Sequence, residues 1–360
     1  MTWFYLFISF IASALTSMLL MPWILYLCKR NGYYDSPDYR KVHKNPVPRL
    51  GGVAFLPSAI IGVSASLYTL FNAEQASIRI NVSTLVMTAG AFLIYFIGFF
   101  DDRFGMKAIH KFIIQIGTAL FLPLCGLIIT DMNGILGIHE IPLWAGYILT
   151  VFLILIIVNA INLIDGIDGL ASGLCIFILS VYTYVFSKFN FDLIASLNAA
   201  IVGSLVVFWC FNMFGKTGHN KIFMGDAGSL FLGYVCAYMS IKSTMHPIAP
   251  TDCGEEQMLI SVTLFFIPVM DVIRVAIQRL ILGHGIFQPD KTHIHHLFME
   301  AGISMHNTLA CICVVYGLIC GINYALWQTH LTLPLILLTD ALIYILIITL
   351  IQHIGRKNKK

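Results

Sequence analysis

The stretch from Asn159 to Gly169, reading NAINLIDGIDG, sets two carboxylates and two amides at the end of a long apolar run. Moving one Asp into a membrane span costs on the order of 2.5 to 3.5 kcal/mol, so such a residue is a functional-site candidate by default. On a helix Asn159, Asn162 and Asp165 recur every third position, and Asp165 and Asp168 are neighbours at i, i+3. Gly166 and Gly169 each follow an acid, where the backbone turns or admits a ligand. A polar helix end closed by glycine would carry the same letters.

Four further groups carry chemistry. Asp101 and Asp102 are adjacent carboxylates; such pairs persist beside a cation or where one must accept a proton. Lys107, Lys111 and Gln115 follow as a polar edge. Asp226, between Gly225 and Gly228, opens an apolar span, where helix N–H groups suit an anion or an anion–metal pair; a capping Asp is the simpler alternative. Asp271 and Arg274 stand at i, i+3, and three histidines, His293, His295 and His296, fall within four residues. Zinc hydrolases built on such a run carry further acids or Cys that are not found here, and histidines beside basic groups equally hold phosphate or donate protons. The loop from Asp35 to Gly52 holds Arg40, Lys41, His43, Lys44 and Arg49; Pro46, Pro48 and Gly51-Gly52 stiffen it and fix where Lys44 and Arg49 point. Deep in spans, Lys242 is expected to snorkel outward and Asp340 to pair or face the bundle, without an assigned function.

The elements that must position these groups are membrane helices. The chain is 58% hydrophobic and only 11% charged, with a mean hydropathy of +0.85, against about 25% charged in soluble domains. The expected fold is all-α and polytopic, a single domain over residues 1–360 of about 11 transmembrane helices. After a first span at 1–27, hydropathy places the others near 50–71, 83–100, 112–130, 143–163, 169–187, 193–212, 227–245, 258–278, 308–327 and 333–352. The nine cysteines lie mostly in apolar runs without a C-x-x-C pair and read as small core residues.

All but three of the 21 Lys and Arg fall on one set of loops, leaving Arg79, Lys188 and Lys242. The positive-inside rule makes that set cytoplasmic, with the amino terminus outside and the carboxy terminus inside. Asp101, Asp102, Asp165, Asp168, Asp226, Asp271 and Asp290 then all reach the cytoplasmic face, an outcome the topology did not presuppose. An oxygen-ligated Mg²⁺ or Mn²⁺, a phosphorylated cytosolic substrate and a lipid partner fit that convergence, the parts that phosphoryl transfer needs. An ion transporter would hold its charges near the midplane on broken helices, often in repeats that this sequence lacks.

Five motifs, HKNPVPRLGG (43–52), GFFDDRF (98–104), NAINLIDGIDGLASG (159–173), KIFMGDAGSLFLG (221–233) and PDKTHIHHL (289–297), resemble the polyprenyl-phosphate N-acetylhexosamine-1-phosphate transferases over nearly the whole chain. The resemblance implies transfer of a sugar 1-phosphate, GlcNAc 1-phosphate foremost, from a UDP-sugar to undecaprenyl phosphate with release of UMP. That is the first membrane step of an envelope polysaccharide such as O-antigen, common antigen or teichoic acid, in the bacterial cytoplasmic membrane. UDP-MurNAc-pentapeptide and UDP-FucNAc are alternative donors; no nucleic acid is implied, and a homodimer is an open alternative to a monomer. By position it implies catalytic roles for Asp101, Asp102, Asp165 and His293, and Mg²⁺ or Mn²⁺ on Asp226 and Asp102. It further implies nucleotide and sugar contacts from Asn162, Asp168, Phe223, Arg274, His295 and His296, and phosphate contacts from Lys44 and Lys111. Gly105 and Gly285-Ile286 depart from the pattern, which bears on the amino sugar rather than on the reaction.

Overall fold

A computed structural model of the chain describes residues 2–35, 45–72, 82–245, 254–285 and 291–358. Helices dominate, as they must where lipid offers backbone groups no hydrogen bonds. In chain order they are α1 (Thr2–Asn31), α2 (Phe55–Asn72), α3 (Val82–Phe104), α4 (Ala108–Ala119), α5 (Phe121–Leu124), α6 (Leu143–Ile164) and α7 (Leu170–Lys188). The second half holds α8 (Asp192–Phe214), α9 (Gly225–Met245), α10 (Gly254–Ile281), α11 (Ile294–Glu300), α12 (Met305–Gln328) and α13 (Leu333–Asn358).

Among the described residues nine helices are long and apolar enough to cross a membrane: α1, the segment of α2, α3, α6, α7, α8, α10, α12 and α13. The other two expected spans differ instructively. α9 has 21 residues and is less apolar. It is the central helix, enclosed by α3, α6, α7 and α10, with Leu230, Tyr234, Tyr238 and Ile241 fully buried. It therefore carries Ser229, Ser240 and Ser243 without presenting them to lipid. The expected single span at 112–130 is instead the short pair α4 and α5. Pro123 lacks the N–H that would continue a helix and Gly126 turns the chain at φ +88°. The strand-like segment that follows is tied to α6 through Ile129 N–H donating to Thr150 Oγ1 at 2.9 Å.

α1, α2 and α8 pack as a trio through small residues. Ser9, Ser13 and Ser17 recur every fourth residue, fully buried, and Ser9 donates to the carbonyl of Ser196 at 2.8 Å. The eight cysteines among the described residues are free, and Cys28, Cys175 and Cys236 are buried core residues as expected. Lys242 does not snorkel: it is 2% exposed and its Nζ donates to Ser83 Oγ at 3.3 Å, because a central helix has no lipid-facing flank along which to run. Asp340 faces the interior and accepts from Asn323 Nδ2 at 2.8 Å; the same amide reaches Thr263 Oγ1 at 2.9 Å.

The stiff basic turn expected around Pro48 is a docked loop. Tyr34–Asp35 pairs antiparallel with Val47–Pro48. Phe223 N–H donates to Pro48 O at 2.7 Å, while Gly51 and Gly52 N–H donate to the carbonyls of Phe223 and Met224 at 2.9 and 2.8 Å. Gly52 rests on the backbone of Gly228, where any Cβ would collide. The chain before α2 is thereby zipped onto the chain entering α9.

Candidate active site

The amino end of α9 is capped from another helix. Asp102, at the end of α3, accepts from the N–H groups of Asp226 (2.9 Å) and Ala227 (3.0 Å), one on each oxygen. Gly98, one turn earlier, allows the approach, since a Cβ there would meet Asp226 O at 2.5 Å. Arg49 completes the cap with Nε and Nη2 on Asp102 Oδ1 at 3.1 and 2.6 Å, and the Asp102 side chain is wholly buried. The simpler sequence alternative, Asp226 as its own cap, is thus replaced. Arg49 and the Asp226 N–H share Oδ1 of Asp102, whereas Oδ2 takes the Ala227 N–H, so Oδ2 is the oxygen at which a metal would meet Asp102 without displacing Arg49.

Relieved of capping, the Asp226 carboxylate turns to α4 and α6. Its Oδ1 accepts from Asn162 Nδ2 at 2.6 Å and lies 2.9 Å from Lys111 Nζ, which also reaches Asp101 Oδ2 at 3.1 Å. Asn162 is held in turn by Ser229 Oγ at 2.8 Å. α4 presents Ile109 and Ile113 outward while Lys111 and Gln115, one turn apart, point in; Gln115 Oε1 accepts from Asn159 Nδ2 at 3.0 Å. The broken fourth segment thus delivers a cation between two acids.

α6 ends at Asp165, and the next residues form a loop that α8 grips by its main chain. Gly169, at φ +77°, donates through N–H to Asn212 Oδ1 at 2.7 Å, and its carbonyl accepts from Trp209 Nε1 at 3.2 Å. Asn212 Nδ2 also reaches Ile222 O at 3.0 Å, joining this loop to the segment that carries Phe223. Asp168 forms an ion pair with Lys221. Asp165 makes no hydrogen bond or ion pair among the described residues. Burial, then the negative charge of Asp226, Asp168 and Asp102, push its carboxyl well above the usual range.

The third group surrounds Asp271 in α10. Its Oδ1 accepts from Arg274 Nη2 (2.6 Å), Ile294 N–H (3.0 Å) and Tyr344 OH (3.2 Å), and its Oδ2 lies 2.8 Å from His293 Nδ1. The His293 and His295 rings are parallel with centroids 6.0 Å apart, and His296 lies 4.2 Å from His295. Among the described residues neither nitrogen of His295 has a hydrogen-bond partner. Burial, then the neighbouring His296 and His293, lower its pKa to about 3. His295 packs against Gly166, where a Cβ would meet its ring, so the histidines abut the Asp165 loop.

The sequence-derived residues therefore meet at one end of the bundle, in three linked groups. Lys44 lies outside the described residues. Arg49, Lys221, Asn212, Trp209 and Tyr344 complete the contacts; in the sequence Lys221 opens a motif without an assigned role, and nothing marks Asn212, Trp209 or Tyr344. No group of three or more His, Cys, Asp or Glu with metal-site geometry occurs among the described residues. The donors nonetheless suit a hard divalent cation: Asp101 and Asp226 share Lys111, and among the described residues Asp165, which feels the negative charge of three other carboxylates, has no ion pair. Mg²⁺ usually takes one or two protein carboxylates and completes its shell with water and substrate phosphate.

Residues 84–244, which contain Asp101, Lys111, Asn162, Asp165, Asp168 and Asp226, match the family model described as glycosyl transferase family 4. A Bacillus subtilis (strain 168) protein named probable undecaprenyl-phosphate N-acetylglucosaminyl 1-phosphate transferase is 33% identical over 318 residues, 88% of this chain and 83% of its own length. Proteins of Yersinia pestis and Escherichia coli (strain K12), each named undecaprenyl-phosphate alpha-N-acetylglucosaminyl 1-phosphate transferase, are each 30% identical. These alignments cover 81% of this chain and 76% of the former relative, and 84% and 79% for the latter. With identity of this level sustained across most of both partners, the chain belongs to glycosyl transferase family 4.

Proposed function

We propose that this membrane protein transfers GlcNAc 1-phosphate from UDP-GlcNAc to undecaprenyl phosphate. An oxygen of the lipid phosphate attacks the sugar-bearing phosphorus, the bond from that phosphorus to the bridging oxygen breaks, and UMP leaves with the oxygen and its electron pair. The observation that carries this reading is the chain Asp101–Lys111–Asp226–Asn162 beside the Asp102-capped end of α9: alternating acid and cation at the mouth of an apolar bundle. The relatives' names agree with it in acceptor and transferred group.

Each group of residues has a part. Lys111 and Arg49 present positive charge to an entering phosphate, and Asp101 orients the acceptor and takes up any proton it brings. Asp168 and Phe223, with Asn162, hold the nucleotide; Arg274, His293, His295 and His296 hold the sugar and diphosphate side. Asp226, with Asp102 beside it, would hold Mg²⁺, which would supply neutralisation of the diphosphate charge. The cytoplasmic membrane is the proposed location, with the site end facing the cytosol and the amino terminus outside. Lys29, Arg49, Lys111, Lys221 and Arg274 all belong to that end, in keeping with the positive-inside rule.

The test is UMP release by purified protein in detergent with Mg²⁺ and undecaprenyl phosphate, against a panel of UDP-GlcNAc, UDP-FucNAc and UDP-MurNAc-pentapeptide. The expected result is release with UDP-GlcNAc that stops on chelation. Release with another donor alone would reassign the sugar, and no release with any donor would sink the transferase reading.

A further inference from the structure

We propose that Tyr344, on the last helix, is a positioning residue for this reaction, acting through its hydroxyl on the Asp271 carboxylate and so on His293. None of the five sequence motifs reaches α13. Yet the Tyr344 hydroxyl closes a ring: it accepts from Arg274 Nε at 3.3 Å and donates to Asp271 Oδ1 at 3.2 Å, while Arg274 Nη2 donates to that same oxygen at 2.6 Å. The ring leaves Asp271 Oδ2 to His293 Nδ1. A carboxylate fixed at one oxygen by three donors cannot turn about its own axis, and the imidazole bonded to the other oxygen inherits that orientation. The arrangement matches the general rule that an acid holding one ring nitrogen sets the tautomer and direction of the other. His293 stacks on His295, which lies on Gly166, so a swing of His293 would reach the loop carrying Asp165.

Arg274 gains as much. It also donates to the carbonyl of Thr292 at 2.5 Å, so its guanidinium is held on three sides, by α10, by the chain entering α11 and by α13. The Tyr344 ring packs edge-on against Phe266 with centroids 6.3 Å apart, a contact that does not involve the hydroxyl. Packing and positioning are therefore separable by substitution.

This proposal rests on the transferase reading, and wild-type activity distinguishes the failure of one from that of the other. Y344F keeps the ring and removes only the hydroxyl, whereas Y344L removes both. With UDP-GlcNAc and undecaprenyl phosphate, Y344F should lower kcat about 10-fold, as losses of supporting partners do. The KM for undecaprenyl phosphate should stay within about twofold, because the Asp101–Lys111 pair is untouched, and the melting temperature in detergent should be that of wild type. An active wild type with Y344F at full kcat and only Y344L impaired would make Tyr344 a packing residue and overturn the proposal. A changed lipid KM with unchanged kcat would overturn it as well.

Discussion

Two acidic centres at the same end of the bundle are built on opposite plans. Around the α9 terminus, acids and cations alternate and share: Lys111 serves Asp101 and Asp226, and Arg49 serves Asp102 with Asp226 at 3.7 Å. Around Asp271 a single acid gathers Arg274, Ile294 N–H, Tyr344 and His293, and its cation is shared with the Thr292 carbonyl and the Tyr344 hydroxyl rather than with a second acid. Shared ion pairs can be exchanged, since an arriving phosphate takes over a lysine that two carboxylates were dividing. A saturated carboxylate gives nothing up. The comparison teaches that ion pairs around α9 are open to exchange while those around Asp271 are not, which fits the proposed entry of phosphate at the former.

The largest test of this division is Asp226→Asn. It keeps the shape but removes the charge that Lys111 and Asn162 answer, and should reduce UMP release by about 1000-fold, with added Mg²⁺ restoring it only in part. A loss below tenfold would move the entered centre elsewhere. Asp102→Ala should act on folding as well as on rate, because it uncaps α9 and takes from the half-buried Arg49 its nearest acid; a stability loss of about 2 kcal/mol is expected from thermal unfolding in detergent. Wild-type stability in that variant would mean that the cap is dispensable.

A smaller effect separates the centres by pH. The pKa of His295 is lowered to about 3 in the fold, below the ordinary value near 6.5. Between those values the unfolded chain takes up a proton that the folded protein refuses, so stability falls as pH drops from about 6.5 toward 3. His295→Gln should lessen that loss, seen as a shallower fall in melting temperature with acidity; equal slopes would contradict it. The smallest effect is expected at Asp340, bonded to Asn323 away from both centres. Asp340→Asn should retain activity within about twofold, and a large loss without unfolding would mean that neither centre contains the whole machinery.

The sequence made the acids legible because carboxylates beside apolar runs are expensive and therefore placed for a reason. Asp101, Asp165, Asp168 and Asp226 stand out on those grounds, and the histidines by their spacing, three within four residues. Their partners were illegible for an equally physical reason. Lys221 meets Asp168 across 53 positions, and Tyr344 meets Asp271 across 73, distances over which no periodicity carries information. Asp102 likewise looked like half of an acidic pair, and only its reach to the α9 N–H groups reveals a cap. Hydropathy located the spans but not their exposure. It could not say that α9 lies inside, and so it sent Lys242 outward, and it read through the break at Pro123.

The cap that α3 places on α9 also bears on how the protein is made. Asp102 and the N–H group of Asp226 are 124 residues apart in the chain, with α4 through α8 between them. As the helices enter the bilayer in order, Asp102 and Arg49 wait together, and no mouth exists until α9 arrives to receive them. The brace on His293 waits longer still, for Tyr344 in the final helix. The last brace of the histidine centre thus comes with the last helix, and a chain lacking only α13 would keep the Asp271 contacts to Arg274 and His293 but not the Tyr344 hydroxyl that steadies them.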